Sequence, residues 1–190
     1  MDGPSRRAAA FCAALALLAL AASSMDYEQA RLAESMAGET PDTILLSFRH
    51  TIVSGGKTWI VLEADRAETY GERKQILLHG VRFREYDSAG ELLTELAVQR
   101  ATFNTASEDA SAAGTIVIHS AAEEASLRTE GELSWTREGK LLQAGPEQTV
   151  RLQKDDGTFV EGRGFAADFR RKTLRFAERV RGVYVREDQE

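Results

Sequence analysis

The sequence predicts an all-β fold of stacked antiparallel hairpins behind an N-terminal membrane-targeting segment. Three observations support this: helix signals nearly vanish after Thr43, turn sequences recur about every ten residues, and the segments between them alternate apolar and polar residues. Strands of ordinary length joined by close turns are typical of sandwiches, jelly rolls and open barrels. With 43% hydrophobic and 28% charged residues, the composition indicates a globular chain.

The first 25 residues have the pattern of a signal peptide or signal anchor. Arg6 and Arg7 precede an uncharged apolar run from Ala8 to Ala22, the order of a basic n-region and an apolar h-region. A helix over this run spans about 23 Å at ~1.5 Å per residue, short of the ~30 Å bilayer core. A cleaved signal peptide and a retained anchor both stay open, and both export the remainder.

A juxtamembrane helix and linker are predicted over residues 26–42. Asp26 can cap a helix that reaches Ala37, Gly38 ends it, and Pro41 marks the boundary with the β region. The predicted β domain covers residues 43–186, and residues 187–190 form a tail. Cys12 is the only cysteine, so the β domain has no disulfide.

The β region divides at turn sequences rich in Gly, Asp and Ser, of which Asp155–Gly157 is the clearest hairpin signal. Uneven apolar spacing around Gly80 predicts a β-bulge there. Acidic, alanine-rich Ser107–Gly114 is predicted to be a loop. The main predicted strands are 43–52, 58–64, 75–86, 92–103, 115–119, 127–135 and 140–152, and the last predicted strands lie within 173–185.

A weak internal repeat accompanies these strands. Ala67, Ala101, Glu132 and Phe165 take comparable positions, at separations of 34, 31 and 33 residues. Each unit is strand, turn, strand, and no such unit can bury its apolar face alone. Stacking four units would give a β scaffold with an apolar interior.

The residues offer no catalytic or metal-binding motif. His50, His79 and His119 are far apart and have no partner at metal-ligand spacing. Acidic pairs fall in predicted turns, and no serine lies in Gly-x-Ser-x-Gly. Gly162–Ala167 matches Gly-x-Gly-x-x-Ala, but the following chain is predicted to be strand, whereas a dinucleotide site needs a helix. We predict no enzyme activity, no cofactor and no metal, and the net charge of −6 disfavours nucleic acid.

The C-terminal region is basic within this acidic chain, with six cations between Arg170 and Arg181. The simplest interpretation is a solvated edge hairpin, whose charges discourage edge aggregation. Attraction to phosphate-bearing lipid headgroups or to an acidic partner stays open. The final segment can add a strand to another protein's sheet. This predicts a partner-binding edge at Val180, Val183, Tyr184 and Val185.

Several of these segments carry a resemblance to a known family. They resemble the LptC family of periplasmic lipopolysaccharide-export proteins and its OstA-like relatives. The resemblance covers most of Thr58–Val185 and is weakest between Asn104 and Ser126. The segments are Ala64–Ala67, Val98–Ala101, Thr129–Trp135, Gln143–Val150, Gly157–Asp168 and Val180–Gly182.

The resemblance implies an OstA-like twisted β-jellyroll, in the periplasm behind a single-pass inner-membrane anchor, whose interior shelters lipid acyl chains. Lipopolysaccharide or a related glycolipid would arrive from the permeases of an inner-membrane ABC transporter. It would leave to a periplasmic OstA-like bridge protein at the C-terminal strand edge. Apolar-face positions supply the lipid-groove candidates: Ile60, Leu62, Val98, Ile116, Ile118, Leu127, Val150, Phe165 and Leu174.

Two other interpretations stay open. The first is a scaffold of the same fold that binds no lipid and assembles envelope proteins through its edge strands. The second is a hydrolase on a β scaffold, which would need two carboxylates at glycosidase spacing in a cleft.

Overall fold

The computed structural model describes residues 40–185. All of its regular secondary structure is β-strand, arranged in one antiparallel sheet, which confirms the predicted all-β class. None of these residues forms a helix able to span a membrane. The predicted targeting segment 1–25, the Asp26–Ala37 helix and the 187–190 tail lie outside the described residues.

The twelve strands follow the chain in a simple order. From β1 to β6 each strand pairs with the next one in sequence. Beyond β6 the sheet continues as β7, β10 and β11 on one side and as β8, β9 and β12 on the other. The strands are β1 (Thr43–Ser54), β2 (Lys57–Tyr70), β3 (Gln75–Tyr86), β4 (Leu92–Asn104), β5 (Ala110–Ser120), β6 (Ala125–Thr136), β7 (Leu141–Ala144), β8 (Thr149–Lys154), β9 (Phe159–Arg163), β10 (Ala166–Asp168), β11 (Thr173–Arg175) and β12 (Glu178–Val183).

One line of irregular positions crosses the whole sheet, and we call it the crease. Regular pairing is interrupted at the crease in the three pairs β1–β2, β2–β3 and β3–β4. The registers on either side of each interruption place the interrupted residues opposite one another. The register shifts there between β4 and β5, and the line then passes through the breaks after β7, β9 and β11. The crease residues are Ser47, Asp65, Gly80, Gln99, Gly114, Gly131, Gln148, Gly164 and Ala177.

Five crease residues have left-handed backbone angles. The φ angle is 50° at Ser47, 61° at Gly80, 99° at Gly114, 125° at Gly131 and 62° at Gly164. Glycine adopts such angles without the penalty that a Cβ imposes. These residues therefore let each strand bend as it crosses the line.

The bend also changes which face of a strand points inward. In β3, Ile76 and Leu78 are buried before the crease, whereas Val81 and Phe83 are buried after it. The alternation thus shifts by one residue at Gly80, and β2 and β4 show the same shift. In β3 the period of two therefore holds on each side of the crease but not across it.

The crease divides the sheet into two halves that share one hydrophobic core. That core includes Leu62 and Leu127 from one half and Leu78 and Leu133 from the other. The described residues supply no helix or second sheet to cover either inner face, so the two halves cover each other. The sheet is therefore folded over into two layers.

The turns form two rows at the strand ends, away from the crease. Backbone hydrogen bonds join turns within a row, as from Asp155 N to Glu124 O (2.9 Å) in one and from Phe169 N to Lys140 O (3.0 Å) in the other. We name the rows by their charge. The acidic rim comprises residues 55–56, 87–91, 121–124 and 155–158, and the basic rim comprises residues 71–74, 105–109, 137–140 and 169–172.

Three local predictions are wrong, and two of the errors come from the crease. The register runs without a shift through Gly80, which bends the strand in place of inserting a bulge. The predicted strand 140–152 is broken at the crease into β7 and β8. The predicted Ser107–Gly114 loop is also too long, because Ala110–Gly114 pairs with β6 as part of β5.

Candidate functional site

The inner faces of the two layers form one apolar interior. Seven of the nine groove candidates belong to it and have exposed fractions of at most 7%. Ile118 is half-buried against the same core, whereas Leu174 lies on β11 and is 48% exposed. The seven are Ile60, Leu62, Val98, Ile116, Leu127, Val150 and Phe165.

The groove candidates predicted from the sequence lie mainly in one of the two layers. Six of the seven lie between the crease and the acidic rim, and Phe165 follows Gly164 at the crease. The facing layer, between the crease and the basic rim, buries Ile76, Leu78, Phe103 and Leu133 to 2% exposure or less. The shift in alternation across Gly80 was the signal that could have revealed these residues.

Side chains fill this interior, so it is a closed core in the described conformation. An open depression of about 640 Å³ instead lies along the crease between β1 and β5. Its lining mixes apolar residues with Arg49, Glu63, Asp65, Arg82 and Gln99. Acyl chains need apolar walls, so the mixed lining of this depression does not suit them. An acyl chain could enter the apolar interior only if the two layers separated.

Polar side chains close the crease over its glycines. A Cβ at Gly80 would clash with the Asp65 side chain, and one at Gly131 would clash with Gln148. The Gln148 amide donates to Thr129 Oγ1 (2.7 Å) and accepts from the backbone N–H of Glu132 (2.8 Å). These contacts fill the space that the missing Cβ atoms leave.

The two ends of the sheet are open and apolar. β1 pairs only with β2, while β11 and β12 pair only with β10 and β9. Every large apolar side chain left exposed in residues 40–185 lies on these edge strands or directly after β12. They are Ile44, Leu45, Leu46 and Val53 at the first edge, and Leu174, Val180, Val183, Tyr184 and Val185 at the second.

The predicted partner-binding residues therefore lie at an edge strand. Val180 and Val183 belong to β12 and are 57% and 51% exposed; Tyr184 and Val185 follow at 79% and 39%. Val185 N donates to Thr158 Oγ1 (3.0 Å), which holds the chain against the preceding turn. The free side of β12 can accept another strand.

An ion triad supports each edge. At the first edge, Glu63 of β2 binds Arg49 (2.9 Å) and Arg84 (2.6 Å) from the strands on either side. At the second edge, Glu161 of β9 binds Arg181 of β12 (2.6 Å) and Arg151 of β8 (3.2 Å).

The Arg181 guanidinium is the main reason that the pKa of Glu161 lies below its usual range, and Arg151 adds to the effect. Glu161 therefore stays ionised and holds β12 through a charge-assisted hydrogen bond.

The buried carboxylate of Glu68 has structural partners. Glu68 is 8% exposed, accepts from the Tyr70 hydroxyl (2.7 Å) and pairs with Arg66. The Tyr70 hydrogen bond is the leading cause of its lowered pKa, so this buried carboxylate is a satisfied ion. Within residues 40–185, no three His, Cys, Asp or Glu side chains come together as metal ligands would.

Comparisons with known proteins identify the family. The profile of the family described as "Lipopolysaccharide-assembly, LptC-related" matches residues 9–185. No curated protein matches the chain. Among solved structures, one similar chain is LptH, titled the LptA homologous periplasmic component of the conserved lipopolysaccharide transport device from Pseudomonas aeruginosa. It has 11% identity and a TM-score of 0.32, over 79% of this chain and 99% of that one. Because the profile match spans nearly the whole sequence, the chain belongs to the lipopolysaccharide-assembly, LptC-related family and functions in lipopolysaccharide transport.

Proposed function

We propose that this chain is an intermediate carrier that shelters the acyl chains of lipopolysaccharide between the two layers of its folded sheet. In this proposal the fold is an OstA-like twisted β-jellyroll in the periplasm, and residues 1–25 anchor it in the inner membrane. It receives lipid from the permeases of an ABC transporter and passes it to a periplasmic OstA-like bridge protein. No catalytic step is assigned to the chain.

The continuous apolar interior is the observation that carries this proposal. It crosses the crease without interruption and includes both Leu62 and Leu78. Each methylene removed from water contributes about 0.8 kcal/mol, so a chain of a dozen methylenes gains roughly 10 kcal/mol. This gain opposes the cost of separating the layers.

The edges supply the route into and out of the carrier. Two apolar, unpaired edge strands at opposite ends of one sheet suit strand addition by two different partners. We assign β1 to the transporter side and β12 to the bridge protein. A lipid could then pass along one apolar interior from end to end, while the transporter's ATPase provides the energy.

Site-specific photo-cross-linking in cells tests the lipid assignment with matched neighbours. Leu127 is buried and Arg128 is exposed on the same strand, and the same holds for Val98 and Ala97. A photo-reactive residue at Leu127 or Val98 should capture lipopolysaccharide, whereas one at Arg128 or Ala97 should capture little. Capture confined to Arg128 and Ala97 would exclude the interior as the binding site.

Lipid co-purification separates this carrier from the scaffold that binds only proteins. Both depend on the second edge, so deleting residues 183–190 should abolish binding of the bridge protein in either case. Only a carrier would retain lipopolysaccharide through purification, and a lipid-free preparation from lipopolysaccharide-producing cells would favour the scaffold.

A further inference from the structure

The two rims carry opposite charge. The acidic rim has six carboxylates and no Lys or Arg, whereas the basic rim has seven Lys or Arg against four Asp or Glu. Most of the positive charge lies at one end, because Arg137–Lys140 and Phe169–Lys172 together hold five cations and one carboxylate. Both rims lie away from the crease, so they flank the side on which the two layers would have to separate to admit a lipid.

Three cations at this end have no carboxylate partner. Lys140, Arg170 and Lys172 form no ion pair with any residue between 40 and 185. Arg170 donates to the carbonyl of Glu138, and Arg171 approaches Asp168 only at 3.7 Å. Unlike the arginines of the two ion triads, these cations are not neutralised by the fold.

The turn geometry does not explain why lysine occupies these positions. Lys74, Lys140 and Lys172 end equivalent turns of the basic rim with φ angles of 53°, 47° and 53°. Left-handed positions favour glycine and asparagine, and other residues there are strained. Glu108 and Glu124 have the same conformation in other rim turns, with φ angles of 58° and 48°, so the backbone angle does not select lysine and leaves the sign of the charge open.

A buried donor without an acceptor lies next to this cluster. Trp135 Nε1 is buried and has no hydrogen-bond partner among the described residues. Its ring meets Phe169 edge to face at 5.6 Å, directly before Arg170–Lys172, and Trp135 pairs with Leu142, two residues after Lys140. An unsatisfied buried N–H is costly, so Trp135 Nε1 is a donor free to bind an acceptor oxygen of a ligand at this end of the sheet.

We propose that Lys140, Arg170, Arg171 and Lys172 bind the phosphate groups of the transported lipid, and that Trp135 donates to an oxygen of the same headgroup region. This inference rests on the proposed function. The acyl chains would lie in the interior, and the phosphorylated sugar would stay at the basic rim. Phosphate has the charge and the acceptor oxygens that Lys and Arg bind most strongly, and the acidic rim repels it from the opposite lip.

Competition between two lipids tests this proposal on the full-length chain in detergent. Lipid A with two phosphates and its monophosphoryl form are mixed in equal amounts, and native mass spectrometry measures the ratio of the two complexes. We expect about a tenfold preference for the bisphosphorylated lipid, the size of one charge-assisted contact. Raising the salt concentration should reduce the preference.

Two variants with the same change of charge locate the effect. Lys140→Gln, Arg170→Gln, Arg171→Gln and Lys172→Gln together should reduce the preference to nearly one, without loss of acyl-chain binding. The variant removes the long Arg171–Asp168 ion pair and the Arg170 bond to the Glu138 carbonyl, but the backbone amides of Arg170 and Arg171 still donate to Asp168, so the turn should persist. The matched control replaces exposed cations outside the cluster and should keep the tenfold preference: Arg82→Gln, Arg100→Gln, Arg128→Gln and Lys154→Gln.

A Trp135→Phe variant tests the indole separately. It should bind both lipids several-fold more weakly and keep the preference for two phosphates. Unchanged affinity for both lipids would remove Trp135 from the site.

The remaining outcomes separate this inference from the proposed function. If neither lipid binds, the carrier function itself fails. If both bind equally to the unmodified chain, the carrier stands and the phosphate site is refuted. Equal binding, together with loss of adsorption to phosphatidylglycerol vesicles in the fourfold rim variant, would assign the cluster to the membrane surface and likewise refute the site.

Discussion

The close approach of Asp65 to Gly80 gives a direct test of the crease. In Gly80→Ala, the new Cβ would lie 2.6 Å from Asp65 Cγ and 3.2 Å from Asp65 Cβ, with the carboxylate nearer still. Asp65 must leave its rotamer, at a cost of about 0.5–1.5 kcal/mol. Alanine at a φ of 61° costs a further 1–2 kcal/mol or so.

The combined loss is therefore about 2–3 kcal/mol in the free energy of unfolding, which lowers the Tm by roughly 5–10 °C in a domain of this size. Gly55→Ala is the matched control, because Gly55 has a φ of 59° and no atom within 4 Å of its added Cβ. The free energy of unfolding of that variant should fall only by the cost of placing alanine at a positive φ angle. Urea unfolding followed by circular dichroism measures both variants.

A double-mutant cycle isolates the steric part. In an Asp65→Ala background most of the obstructing side chain is gone, so Gly80→Ala should cost about 1 kcal/mol less than it does alone. If the two substitutions are additive, or if Gly80→Ala costs no more than Gly55→Ala, then Asp65 does not close the crease over Gly80.

Three further predictions follow from contacts at the crease and the second edge. Because the pKa of Glu161 is lowered, its ionised carboxylate stabilises the β9–β12 pairing above the unfolded-state pKa of about 4.3, and this stabilisation is lost as the pH falls below that value. The NMR signals of β12 should therefore broaden below that pH in the unmodified chain but not in Glu161→Gln. Identical pH titrations of the two proteins would contradict this. Gly182→Ala places a Cβ 2.6 Å from the carbonyl oxygen of Phe159, which should weaken the β9–β12 pairing. The amide hydrogen-exchange rate should therefore rise at least tenfold in β12 and stay unchanged in β3. Unchanged exchange rates in both strands would show that β12 tolerates the side chain. Gln148→Ala removes two hydrogen bonds and should lower the free energy of unfolding by about 1–3 kcal/mol. The loss should exceed that of Gln99→Ala, which removes the side chain over Gly114 at the same crease. An equal loss in the two variants would mean that the two Gln148 hydrogen bonds do not contribute to stability.

Local sequence patterns predict most of this fold because its contacts are between neighbouring hairpins. The predicted strand 75–86 has the bounds of β3, and the turn before it and the turn after it are both present. Such features depend on a few adjacent residues and on the period of two.

The crease could not be predicted in this way because it is a relation among many strands. Asp65 and Gln99 carry no signal in the sequence, Gly80 shows only as an uneven apolar spacing, and only the pairing register places the three side by side. A period of two carried through Gly80 assigns residues beyond it to the wrong face. This is why the groove candidates came mainly from one layer and omitted Ile76 and Phe103.

The cation cluster shows a different limit. The notable basic residues near the C-terminus were visible in the sequence, but Lys140 is about thirty residues away from Arg170–Lys172 and joins them only through the β7–β10 pairing. The buried N–H of Trp135 is likewise a fact of packing. The sequence therefore shows the positive charge near the C-terminus but not the cluster that Lys140 and Trp135 complete.

The position of the crease also sets a length. From Gly80, six residues lead back to Lys74 at the basic rim and six lead forward to Tyr86 at the acidic rim. At about 3.3 Å per residue each layer is roughly 20 Å deep, while one leaflet of a bilayer's hydrocarbon core is about 15 Å thick. In the proposed carrier, an acyl chain of one leaflet's length whose headgroup is held at the rim would therefore end just short of the crease.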